Sequence, residues 1–155
     1  MGFLGRLFGS TYETVDVARA RELLDGGAVL VDVRTTQEYR AGHAPAARHI
    51  PLDALGTRQR ELSKDRPVVT VCRSGARSAN AARRLATAGY QAASLRGGMT
   101  AWQRAGERVV AKNGHPGTVA RPTPRVPGLL IRPPGRTGRG RSRAEWHPAP
   151  TGTPG

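Results

Sequence analysis

The chain is 155 residues long, 37% apolar and 23% charged, with a formal net charge of +14. That length holds one ordinary domain and a remainder, not two full cores. The lone cysteine, Cys72, excludes an internal disulfide and any cysteine-based zinc cluster, and the absence of an 18-residue apolar run excludes a transmembrane helix in this sequence.

Residues 1–11 read as an N-terminal extension. Phe3, Leu4, Leu7 and Phe8 fall near one helical face with Arg6 as the only charge. That spacing suits a short amphipathic turn against a membrane or a partner; a frayed terminus, or one folded onto the domain, is the plainer reading. The segment is too short and Gly-broken for a secretory signal, and Arg6 stands where a myristoylation motif needs Ser or Thr. The expected location is the cytoplasm.

A domain is expected over residues 12–111. Asp16 is a suitable N-cap for a helix burying Val17, Ala20, Leu23 and Leu24, with Gly26 just past its end. The run Ala28 to Val33 is short and rich in β-branched residues, which predicts a strand buried on both faces. Thr35 and Glu38 have capping-box spacing, so a short helix begins directly after it. Residues 53–62 read as a weaker helix interrupted by Gly56. Val68 to Val71 repeats the buried-strand pattern. A helix over 76–88 places Ala79, Ala82 and Ala86 on one face, turns Arg83 and Arg84 away, and stops at Gly89. A strand at 92–95 and a helix at 99–105 follow. Strands alternating with helices predict an α/β fold with a mainly parallel sheet, and ligands bind such sheets outside the carboxyl ends of the strands.

Residues 112–155 contain 8 Gly and 9 Pro in 44 positions, with 8 Lys+Arg against one acid. That composition predicts a disordered tail. Arg132 to Arg143 resembles Gly/Arg-rich segments that bind RNA through phosphate charge and guanidinium stacking. With Trp146 as its only aromatic, the tail reads instead as a solvated extension, and nucleic acid is not an expected partner.

The segment Cys72-Arg-Ser-Gly-Ala-Arg-Ser78 carries the chemistry. A strand, a tight turn with Gly75 and a helix curl backbone N–H groups into an anion nest at a helix N-terminus. There a thiol pKa falls to roughly 3.5–7.5, from about 8.5 for a free cysteine. A cysteine ending a buried strand is ordinarily an inert core residue, but a core residue has no need of Arg73, Ser74, Gly75 and Arg77 beside it. A nucleophile attacking an anionic substrate does.

At these residues the sequence resembles the rhodanese homology domain, over about residues 12–107. The matching segments come in the family's order: Val31-Asp-Val-Arg34, Glu38-Tyr39, Gly42-His43, His49-Ile-Pro51, the Cys72 loop, and Leu95-Arg-Gly-Gly-Met99 with Trp102. One departure is Ala44-Pro-Ala-Ala47 after Gly42-His43, where the family often has Gly-His-Ile and then Gly-Ala; it touches a connecting loop.

The resemblance implies a parallel five-stranded sheet flanked by helices and a sulfurtransferase without metal or organic cofactor. Cys72 takes the sulfane sulfur of thiosulfate or a similar anionic donor as a persulfide, and a thiol or other thiophilic acceptor removes it. Arg73, Ser74, Gly75, Ala76, Arg77 and Ser78 are the expected substrate-binding residues. Their backbone N–H groups stabilise negative charge, and Arg73 and Arg77 hold the donor. Ser74 and Ser78 point hydroxyls at the sulfur or cap the following helix. Asp32 and Arg34 are expected in support, Asp32 bonding to the active loop and Arg34 pairing with Glu38. His43 and His49 pack locally. Cysteine phosphatases have Cys-x5-Arg, whereas here Arg77 comes one place earlier, a tighter cradle suited to sulfur. A non-catalytic anion- or partner-binding module is the alternative, against which the intact Cys72 argues.

Overall fold

The buried runs of the sequence form the centre of a parallel sheet in the structure, a computed structural model that describes residues 11–119. The readings placed on Phe3 to Phe8 and on residues 120–155 lie outside these residues. In chain order the elements are β1 (Glu13–Val15), α1 (Val17–Asp25), β2 (Val29–Asp32), α2 (Thr36–Ala41), β3 (Arg48–His49), α3 (Leu55–Arg58) with a 3-10 turn (Gln59–Glu61), β4 (Val68–Val71), α4 (Ala76–Thr87), β5 (Ala92–Leu95) and α5 (Gly98–Arg104). The five strands are ordered β1-β5-β4-β2-β3, and every pairing is parallel.

The helix ends follow the sequence. Asp16 accepts the Arg19 N–H at 2.8 Å to start α1, and Gly26 closes it. Thr35 and Glu38 form a complete capping box on α2. The weak helix expected over 53–62 resolves into α3 and the 3-10 turn. In α4 the buried face is Ser78, Ala81, Ala82, Leu85 and Ala86; the expected Ala79 is only partly buried. The stripe is turned by one position because Leu85, the largest apolar side chain in the helix, sets the face toward the sheet.

Strand alternation divides the core. Leu30, Val69, Val71 and Leu95 face α1 and α5, in a cluster with Ala20, Met99 and Trp102. Val31, Val33, Val68 and Ala92 face α3 and α4, in a cluster with Leu55, Ala82 and Leu85. Residues two apart on a strand share a face. Cys72, directly after β4, therefore joins the α4 side. Between β4 and β2 the connections leave in opposite directions, one through α4 to β5 and the other through α2 to β3. Such a switch point opens a crevice at the strand carboxyl ends, and Cys72 and Arg34 flank it.

The folded unit runs past the expected boundary at Ala111. Val110 bridges both His43 and Pro116, the Gly117 N–H donates to the Val109 carbonyl at 3.0 Å, and the Thr118 N–H donates to the Ala41 carbonyl at 3.1 Å. Val119 packs on the α1/α5 cluster. Composition missed this because a segment tied down mainly through its backbone needs few large apolar side chains. A chain ending at Ala111 is therefore expected to melt about 5 °C or more below one ending at Val119. Thermal unfolding followed by circular dichroism checks this, and equal melting temperatures would show that 112–119 adds nothing.

Candidate active site

β4 delivers Cys72 to the crevice, and the next four residues turn over its sulfur. Gly75, at φ +117, is the N-cap of α4; this left-handed conformation suits glycine. Its N–H donates to Cys72 Sγ at 3.0 Å. The Ser78 hydroxyl lies 3.5 Å from the same sulfur. Cys72 is 1% exposed.

The loop is held from behind by α5. The Met99 N–H donates to the Cys72 carbonyl at 2.7 Å and the Thr100 N–H to the Arg73 carbonyl at 3.1 Å. The Thr100 hydroxyl adds a second bond to the Arg73 carbonyl at 3.0 Å. This approach requires Gly98: its φ is +56, and a Cβ there would stand 2.7 Å from the Arg73 carbonyl carbon.

Thr70 and Ser94 share the α4 side of the sheet by strand alternation with Cys72 and with each other's register, in which the two residues are paired. Ser94 donates its hydroxyl to Ser78 Oγ at 3.0 Å, and Thr70 donates to the Ser78 carbonyl at 2.8 Å. Ser78 Oγ itself donates to the Gly75 carbonyl at 3.0 Å. The Gly75 carbonyl also receives the Ala79 N–H at 3.0 Å, so it stays satisfied when the Ser78 hydroxyl turns to a thiolate. Ser94 and Thr70 are site residues that the sequence reading missed; the signal for Thr70 was its two-residue spacing from Cys72, while Ser94 is placed by its register opposite Thr70.

Burial alone pushes the Cys72 thiol pKa up. The Ser78 hydroxyl and the backbone N–H groups of Ser78, Gly75 and Ser74 together outweigh it, and the thiol is held below its ordinary value.

The charged residues are arranged differently from expectation. Arg34 pairs with Asp32 at 2.6 Å, not with Glu38, and both members are buried. Two residues apart at a strand end, their side chains share a face, and the Arg34 backbone N–H also donates to Asp32 Oδ1 at 3.0 Å. Asp32 is thereby committed to Arg34, where the sequence reading aimed it at the active loop. The second Arg34 contact is the Gly42 carbonyl at 2.7 Å. Glu38, turned inward by the capping box, takes Arg77 through two bonds of 2.8 Å. Arg77 is thus tied to α2, while Arg73 has no side-chain partner among the described residues. His43 and His49 both stack with the Tyr39 ring, at ring-centroid distances of 3.8 and 4.4 Å, which is the local packing expected of them.

Arg77 holds the Glu38 carboxyl down at about 2, with Thr35 assisting and burial opposing. A depressed folded-state pKa contributes stability above the unfolded value, near 4.3, and loses it as pH falls toward 2. Glu38→Gln is expected to cost about 1–3 kcal/mol at neutral pH and to flatten the acid limb of stability between about pH 4.5 and 2. Urea titrations across that range check it; an unchanged acid limb would remove Glu38 from the account. At the sulfur, Ser78→Ala is expected to raise the Cys72 pKa, and Ser94→Ala to raise it less. The pH dependence of iodoacetamide alkylation measures both, and an unshifted Ser78→Ala profile would contradict the hydroxyl's role.

Solved structures similar in fold include the following. A rhodanese-related protein from Thermoplasma volcanium is 27% identical with a TM-score of 0.61, the match covering 65% of this chain and all of that one. A rhodanese homologue from Thermus thermophilus is 36% identical with a TM-score of 0.50, over 57% of this chain and 99% of its own. A thiosulfate sulfurtransferase from Pseudomonas aeruginosa is 26% identical with a TM-score of 0.60 over 71% of this chain, which spans only 22% of that longer protein. Residues 16–105 match the family model of the rhodanese-like domain. With that match over more than half its length, and a parallel five-stranded sheet ending in the Cys72 loop, the chain belongs to the rhodanese-like domain family.

Proposed function

We propose that the protein is a sulfurtransferase that carries sulfane sulfur on Cys72 as a persulfide. The observation that carries this reading is the placement of a buried thiol under the Gly75 N–H at 3.0 Å and beside the Ser78 hydroxyl, with its pKa lowered despite burial. The Cys72 thiolate attacks the sulfane sulfur of thiosulfate or a similar anionic donor. The donor's S–S bond breaks, sulfite leaves with the electron pair, and a new S–S bond joins the sulfane sulfur to Cys72. The outer sulfur then bears the negative charge within reach of the loop N–H groups. A thiophilic acceptor attacks that outer sulfur, and Cys72 departs as a thiolate into the same hydrogen bonds. Arg73 steers the anionic donor, and Arg77 fixes the loop through Glu38. The thiosulfate sulfurtransferase of Pseudomonas aeruginosa is a relative with that named activity. A reducing cytoplasm suits a lone reactive thiol, and among the described residues no helix is long and apolar enough to cross a membrane.

Loop size argues against phosphoryl transfer. Cys72 and Arg77 are five residues apart, and Arg77 is already bound by a carboxylate. A binding module that merely senses anions has no use for a depressed thiol pKa.

Intact-mass measurement after thiosulfate exposure should show one added sulfur, removed by cyanide, and Cys72→Ser should show neither while remaining folded. Appreciable sulfur transfer by a folded Cys72→Ser chain would refute the mechanism. Aryl-phosphate hydrolysis should be negligible. One residue inserted between Ala76 and Arg77 should weaken sulfur transfer, because it displaces the N–H groups from the sulfur. Efficient Cys72-dependent hydrolysis of an aryl phosphate by the natural sequence would put the reaction in a different class.

A further inference from the structure

The arginines around the active loop differ in how far they are engaged. The stretch from Arg66 to Gly106 holds seven arginines and no acid. Arg77 is bound by Glu38, Arg84 donates to the Leu52 carbonyl at 3.1 Å, Arg66 donates to the Gly27 carbonyl at 2.7 Å, and Arg83 lies over the Tyr12 ring. Arg73, Arg96 and Arg104 have no ion pair or side-chain hydrogen bond among the described residues. Of these, Arg73 and Arg104 line the groove between the loop and α5, away from the Cys72 sulfur.

β5 carries Arg96 to the sulfur's side. Thr70 pairs with Ser94, so two residues further along both strands Cys72 stands opposite Arg96. The strand course holds to that point: the Arg96 N–H donates to the Val15 carbonyl at 2.8 Å and extends the β1–β5 ladder by one residue. Ser94 faces α4, where it bonds to Ser78, and Leu95 faces the α1/α5 cluster. Alternation then returns Arg96 to the α4 side, which is the side of Cys72. The active loop closes over the same place. A Cβ on Gly75 would lie 3.5 Å from the Gly97 nitrogen and 3.8 Å from the Leu95 carbonyl oxygen. The glycine whose N–H bonds to the sulfur thus rests on the two peptide groups that flank Arg96. Neighbouring strands are about 4.8 Å apart, and an extended arginine side chain is longer than that. Arg96 is exposed. The carboxylate that register brings alongside it, Asp16, caps α1 through the Arg19 N–H at 2.8 Å and forms no ion pair with Arg96.

We infer that Arg96 is a specificity residue of the active site and holds the oxyanion end of the sulfur donor beside Cys72. This rests on the persulfide reading of Cys72. The thiolate attacks the sulfane sulfur of thiosulfate, an S–S bond to Cys72 forms, and the donor's own S–S bond breaks. Sulfite leaves with the electron pair, so no outside oxidant or reductant is needed. Negative charge grows on the sulfite end as it departs, and a guanidinium reaching across one strand spacing meets that end rather than the sulfur being transferred. Because Arg96 stands at an open mouth, its charge and not a close fit selects the donor. Donors that end in a small oxyanion are favoured over neutral ones.

The test uses the full chain and its Arg96→Gln, Arg96→Glu and Arg96→Lys variants. Sulfur uptake from thiosulfate is followed by intact mass. Alkylation of Cys72 by iodoacetate and by iodoacetamide, which differ chiefly in charge, is compared at a pH where Cys72 is fully a thiolate. Arg96→Gln should raise the thiosulfate concentration for half-maximal loading by roughly two- to fivefold and lower the iodoacetate-to-iodoacetamide rate ratio by a similar factor. Arg96→Glu should move both further, and Arg96→Lys should restore most of each. Salt should erode the wild-type ratio, and iodoacetamide should react with all four proteins alike. An unmoved ratio and thiosulfate dependence in Arg96→Glu, or equal losses with iodoacetate and iodoacetamide, overturns the role of Arg96, while sulfur uptake and its removal by cyanide leave the persulfide reading intact. A wild type that takes up no sulfur overturns the persulfide reading and the donor assignment with it.

Discussion

The site depends on α5 taking the carbonyls of Cys72 and Arg73. In a planar trans peptide the carbonyl and the following N–H point in opposite directions. Binding the Cys72 carbonyl to Met99 and the Arg73 carbonyl to Thr100 therefore turns the N–H groups of Arg73 and Ser74 toward the other side of the loop. The Ser74 N–H is among the groups that favour the Cys72 thiolate. The clamp works only at close range, which Gly98 permits by lacking a Cβ and by adopting a positive φ. A helix that looks like peripheral packing is thus what gives the loop its inward polarity.

The charged residues have a similar division of labour. Glu38–Arg77 spans from α2 to α4 and joins the two helices that follow the central strands β2 and β4. Asp32–Arg34 is wholly buried and reaches the Gly42 carbonyl at the end of α2. A buried pair gains from full hydrogen bonding rather than from charge alone, and no described buried side-chain nitrogen or oxygen lacks a partner. Both pairs shape the crevice. With two of the loop-side arginines tied into it, Arg73 is left as the loop cation available to an anion.

The fold and the position of Cys72 at a strand-to-helix turn were legible because they rest on local rules. The β-branched runs at 28–33 and 68–71 became β2 and β4, and Asp16, Thr35 and Gly26 bounded helices where expected. β1 and β3 were not legible as strands from pattern alone, since three and two residues are too few to display alternation. The ionic partners were misassigned for a related reason. Spacing relates Arg34 to both Asp32 and Glu38, and only the tertiary fold brings Arg77 in from 39 positions away. The strap at 112–119 was hidden because its hold is mostly backbone hydrogen bonding, which composition does not register.

Cys72 belongs at once to the site and to the α4-side core cluster with Val31, Val33 and Ala81. Removing it from water makes the thiolate harder to form, and removing it from water also strengthens each hydrogen bond that the thiolate accepts. The balance falls toward the thiolate because polar residues are placed under an otherwise apolar helix face. Thr70 and Ser94 sit at paired positions in β4 and β5, Ser78 sits above them in α4, and their hydroxyls are the exceptions in a run of Val, Ala and Leu. Because the strand period that packs the core also positions these hydroxyls, a one-residue slip in β5 would bring Leu95 beneath Ser78 and leave the sulfur with its burial but without its support.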